Sequence, residues 1–169
     1  MATPLLAVLA AYLGFCFQRR NSYLQALRDL WKILIPAVQR AVQYTHLEQP
    51  DPNEFSELMR ELSTVIDSLR GVFKNVPGPG VGLYPYEPIK DILTTVGWVH
   101  EGKSPHERYL ARQCIINEWY GMHSALLKEF DRSVPVEPVS KYIDGKTSLS
   151  DKLKNGTLSE SDFRLGPGT

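Results

Sequence analysis

Only two cysteines, Cys16 and Cys114, occur in the 169 residues, one in an apolar run and one far along the chain. That is too few for a disulfide framework and fits reduced thiols. Excess charge is missing too: 19 Lys and Arg balance 19 Asp and Glu, for a net charge of zero. A nucleic-acid-binding domain carries a basic surplus, so no nucleic-acid partner is expected. No His-Glu-x-x-His or Glu-x-x-His pair is present, which removes the zinc-protease and di-iron carboxylate patterns. Activated nucleophiles are lacking as well. Cys114 and Glu118 stand one helical turn apart, but a carboxylate raises a thiol pKa and does not activate it.

What is present begins with a charge-free stretch, residues 4–17, closed by Arg19 and Arg20. Leu5, Leu6, Val8, Leu9, Leu13, Phe15 and Phe17 dominate it, with alanines between them. On the insertion scale these seven contribute about −3 kcal/mol. Counting from Met1 to Gln18, the run just reaches the lower limit of about 17 residues for a spanning helix, with Arg19 and Arg20 snorkelling to the surface. We therefore expect a single membrane-anchor helix over residues 1–20, meeting lipid through residues 2–18. A secretory signal fits poorly, because no basic residue precedes the run and no Ala-x-Ala site follows it. Arg19, Arg20, Arg28 and Lys32 all follow the run, which by the positive-inside tendency puts the remaining chain in the cytoplasm. Burial of the run in the core of a soluble bundle is the alternative. Cys16, beside the basic pair, is placed for acylation and is equally an ordinary small apolar residue.

Residues 21–132 read as a helical bundle. Over Ser22–Thr45, Leu24, Leu27, Trp31, Leu34, Val38 and Ala41 recur at helical spacing. Pro36 interrupts this helix and predicts a kink. Asp51-Pro52-Asn53-Glu54 is a strong helix start, followed by Phe55, Leu58, Leu62, Val65, Leu69 and Val72 on one face. The short turn makes these two helices an antiparallel pair. Residues 76–86 hold three Gly and three Pro, which predicts an irregular loop. A short helix is expected over Pro88–Val99. Ser104-Pro105-His106-Glu107 then opens a long helix to about Arg132, with Tyr109, Ile116, Trp119, Leu126 and Phe130 expected inward and Ile115, Tyr120, Met122 and Leu127 beside them. Residues 133–169, divided by Pro and Gly, predict an extended or disordered tail with a turn or two of helix near Ser148–Leu153.

Candidate chemistry is sparse. Gly78-x-Gly-x-Gly follows a helix, contains prolines and lacks a lysine, so it is not a phosphate loop. His100-Glu101 and His106-Glu107 straddle a turn and do not share a helix face, so no metal or cofactor is expected. His123 falls on the apolar face of the last long helix, where a histidine is commonly a core or groove residue. Trp31, Trp98 and Trp119 are candidate partner anchors. Asn155-Gly156-Thr157 matches a glycosylation acceptor, a chance pattern on a cytoplasmic tail.

The fold class expected is all-α: a membrane-anchor helix running into an antiparallel bundle of three to four helices, then an irregular tail. The function expected is non-enzymatic, a membrane-anchored interaction or assembly protein that meets a protein partner or itself. One alternative is a small helical enzyme or ligand-binding domain, with a pocket near Tyr84, Tyr86, Trp98, His100, His106 and His123. The other is a soluble bundle with the first run in its core.

Overall fold

A computed structural model describes residues 3–48, 51–73, 85–132 and 148–163, and among these all regular structure is helical. The helices are α1 (Thr3–Tyr44), α2 (Pro52–Val72), α3 (Tyr86–His100), α4 (Pro105–Glu129) and α5 (Leu149–Lys154), with a 3-10 turn at Glu160–Asp162. The Pro/Gly loop expected over residues 76–86 lies outside the described residues except for Pro85 and Tyr86.

The first four helices run up, down, up and down. Arg40 pairs with Glu57 and Glu61, while the other end of α1, near Phe15 and Ser22, meets Gly71 and Val72, so α1 and α2 are antiparallel. Tyr44 meets His100, which makes α3 parallel to α1. Arg112 meets His46 and Glu129 meets Tyr23, which reverses α4. Each helix packs on its chain neighbour, and α4 closes the bundle against α1.

The hydrophobic stripes fill the interior. Leu27, Leu30, Leu34, Val38 and Ala41 of α1 meet Leu58, Leu62, Val65 and Leu69 of α2, with Ile89, Ile92 and Val96 of α3 and Ile115, Met122 and Leu126 of α4. Two helix starts carry the caps read from sequence. Asp51 accepts from the Asn53 amide at 2.9 Å. Ser104 and Glu107 form a reciprocal capping box, with Pro at the first turn of each helix. Such a cap stabilises its helix by about 1 kcal/mol. α1 continues through Pro36 as a single 42-residue helix. Pro36 lies on the exposed side, where water can serve the carbonyl that loses its amide partner.

Three expectations need correcting. Among the described residues no helix is long and apolar enough to cross a membrane. From Thr3 to Phe17 the helix rises only about 22 Å, against a hydrocarbon core of about 30 Å. The inward face of α4 matches the one expected only in part: Ile115, Met122 and Leu126 are buried and Trp119 and Phe130 pack against the core, while Tyr109, Tyr120 and Leu127 are exposed and Ala111, Cys114, Glu118 and Glu129 are buried as well. Two carboxylates lie on the buried face, so hydrophobicity alone does not give its full extent. Finally, residues 148–163 are no loose tail. α5 packs on α3 and α4, Leu153 and Leu158 are buried, and buried Ser150 donates to Asp91 at 2.8 Å. The helix turn expected near Ser148–Leu153 is present.

Candidate functional site

α1 extends past the other helices. Its first buried residue is Tyr23, and residues 6–22 are all exposed. The alternative in which this run folds into the core does not hold for residues 6–17, which are all exposed. Leu6, Val8, Leu9, Tyr12, Leu13, Phe15 and Phe17 are 51–66% exposed. At about 100° per residue these seven cover roughly 200° of the helix circumference. Ala7, Ala10, Ala11 and Gly14 occupy most of the remainder, so no charge appears on any side. Nothing lies within 4 Å of a Cβ built on Gly14. A helix that meets one partner needs only a stripe, whereas an apolar surface all round suits immersion.

Arg19 and Arg20 follow directly, and both are exposed. Neither pairs with an acidic group among the described residues, and the same is true of Arg28. At the root of the projection a groove of about 560 Å³ opens between Phe15, Gln18, Arg19 and Ser22 of α1 and Gly71 and Val72 of α2. A second groove, about 440 Å³, lies beside Ile35, Val38, Val42 and Trp119.

Of the six residues proposed for a ligand pocket, the five described do not all come together. Tyr84 lies outside the described residues. Tyr86 is buried at the start of α3 and donates to the Phe73 carbonyl at 2.8 Å. His100 ends the same helix, about 21 Å away by helical rise, stacked on Phe55 at 3.8 Å between centroids. Trp98 lies under the Lys103 ammonium at 4.5 Å, and His106 is exposed in the first turn of α4. His123 packs against Trp31 and Trp119, with ring centroids 5.3 and 5.1 Å away, and Phe130 meets Trp31 edge-on at 6.1 Å. Trp31 and Trp119 thus contribute to an aromatic cluster that joins α1 to α4.

The sequence reading missed Tyr44. Its hydroxyl is hydrogen-bonded to Nδ1 of His100 at 2.8 Å. Burial pushes the phenol up to about 12 from its ordinary 10, and Glu54 adds to the shift. Burial also raises Tyr86, with Arg70 opposing. The fold keeps the neutral phenol, so the stability Tyr44 contributes is intact below pH 10 and is lost as pH rises toward about 12. Thermal unfolding followed through that window should show a falling Tm, and Tyr44→Phe should flatten part of the fall. A profile identical in the two proteins would contradict the assignment.

A further pattern went unrecognised. Gly97-Trp-Val-His-Glu-Gly-Lys-Ser104 has the spacing of a phosphate-binding loop. That motif requires a strand before a flexible loop, but here Gly97–His100 is the last turn of α3. Lys103 is engaged with Glu101 at 3.2 Å, and the start of α4 is closed by Glu107 and Ser104. Gly102 adopts φ 84°, a left-handed conformation that ends α3 and that glycine adopts without strain. The spacing therefore serves a helix–turn–helix joint. Among the described residues no three His, Cys, Asp or Glu side chains gather to hold a metal. Comparison of the chain with protein-family models, with curated proteins and with solved structures finds no match.

Proposed function

We propose that this chain is a membrane-attached interaction protein, held by the apolar length of α1, with the bundle as a water-facing head that meets a protein partner. The observation that carries the reading is the exposure of residues 6–17 on all sides of a helix anchored in the bundle from Tyr23 onward. In water, this surface leaves seven large apolar side chains half covered at best. Removing the rest of their area from water is worth about 1 kcal/mol each. The segment enters the acyl layer without crossing it, since its rise of about 22 Å falls short of the hydrocarbon thickness. Arg19 and Arg20 stay at headgroup level, and the bundle stays on the side of entry. On the head, the groove beside Trp119 is the candidate contact for a partner, because it joins apolar walls to a half-buried tryptophan.

The test is flotation of the purified full chain with phosphatidylcholine vesicles. Recovery in the floating fraction, resistant to high salt, is expected. A chain that stays monomeric and unbound at the bottom of the gradient refutes the reading.

A further inference from the structure

We propose that the groove at the root of α1 seats the phosphate headgroup of an anionic phospholipid, with Arg19 as its ligand. The inference rests on the membrane attachment above and adds a specific site to it. Three observations lead there.

The first is order along α1. Phe15 lines the groove nearest the apolar projection, and Gln18, Arg19 and Ser22 follow at helical spacing. Apolar then polar is the sequence of groups in a phospholipid from acyl chain to headgroup. Val72 of α2 faces the same opening and extends its apolar part.

The second is depth. Arg19 comes two residues after Phe17, the last apolar side chain of the run, so it lies about 3 Å beyond the apolar end. The polar layer of a bilayer leaflet is about 5–7 Å thick. A groove lined by Arg19 therefore opens within the headgroup layer.

The third is charge. Arg19 has no acidic partner among the described residues. A guanidinium presents two parallel N–H donors that suit phosphate oxygens. Gln18 and Ser22, on the same wall, add hydroxyl and amide donors. The buried acid behind this wall, Glu129, is engaged by the Tyr23 hydroxyl at 2.8 Å and by Arg132 at 3.6 Å. The carbonyl end of α2 reaches the groove at Gly71 and Val72. Its partial negative charge, about half an elementary charge, is smaller than that of the Arg19 cation, so the anion seats against α1. The absence of a side chain at Gly71 keeps the groove open, and no atom lies within 4 Å of a Cβ built there.

The experiment uses the full chain and vesicles of phosphatidylcholine alone or doped with phosphatidic acid. The wild type should bind the doped vesicles more tightly. Arg19→Gln should lose at least tenfold of that gain, whereas Arg20→Gln, the same charge at the same depth but off the groove, should lose no more than the roughly fivefold expected of one basic residue near an anionic surface. Gly71→Trp, which fills the opening, should lose the phosphatidic-acid gain as Arg19→Gln does, the gain of each variant being read against its own binding to plain phosphatidylcholine, which an interfacial tryptophan alters in its own right. Equal losses for Arg19→Gln and Arg20→Gln would mean diffuse attraction and would overturn the groove while leaving membrane attachment standing. Failure of the wild type to bind either vesicle would overturn the attachment itself. Circular dichroism of each variant separates lost binding from lost folding.

Discussion

Leu9→Asp combined with Leu13→Asp should release the chain from phosphatidylcholine vesicles and leave the bundle intact. Each aspartate in the middle of an inserted helix costs about 3 kcal/mol, and each lost leucine about 0.5 kcal/mol more. Together they weaken partitioning by about 7 kcal/mol, on the order of 10⁵-fold, so the floating fraction should fall to background. Both leucines are more than half exposed, and surface changes of that kind shift stability by no more than about 0.5 kcal/mol. Thermal unfolding should therefore match the wild type. A double variant that still floats like the wild type would show that another surface meets the membrane. One that fails to fold would show that the run is part of the core after all.

Leu62→Ala should do the reverse. Leu62 is 0% exposed, at the centre of the cluster shared by the first four helices. Truncating such a side chain removes its burial energy and leaves a cavity, for about 2–5 kcal/mol. In a domain of this size that lowers Tm by about 10 °C. Vesicle binding at temperatures below the transition should persist, because the projecting half of α1 makes none of these contacts. Leu13→Ala provides the contrast, with a Tm within about 2 °C of the wild type. Scanning calorimetry reads both. A small shift for Leu62→Ala would mean that the α1–α2 interface is not packed as described.

These two leucines also mark how much of the molecule its sequence reveals. α1 and α2 are legible because their stripes are clean and their polar faces uninterrupted. Asp51 and Ser104 announce their helices because a cap is a local device, complete within four residues. α4 is legible as a helix but only partly in its facing. Glu118 and Glu129 are buried, and Glu129 is received by the Tyr23 hydroxyl far back in the chain, a pairing that no window of sequence contains. Residues 154–163 read as tail because Gly156 and the surrounding polar residues resemble loop. The attachment of residues 148–163 depends on only a few anchors, Leu153, Leu158 and the Ser150–Asp91 hydrogen bond. The exposed apolar run was plain from composition, whereas the groove at its root was not, since it needs the end of α2 brought against Arg19. Tyr44 escaped notice for the same reason, as His100 and Phe55 reach it only through the tertiary fold.

The unbroken course of α1 has a mechanical meaning. A rod of 42 residues, about 63 Å long, carries no joint between the part outside the bundle and the part inside it. The azimuth of the Trp119 side relative to the groove-facing side of Arg19 is then set by helical phase, and one residue added between Phe17 and Tyr23 would turn the run against the bundle by about 100°. The heading of one part relative to the other is built into the count of residues.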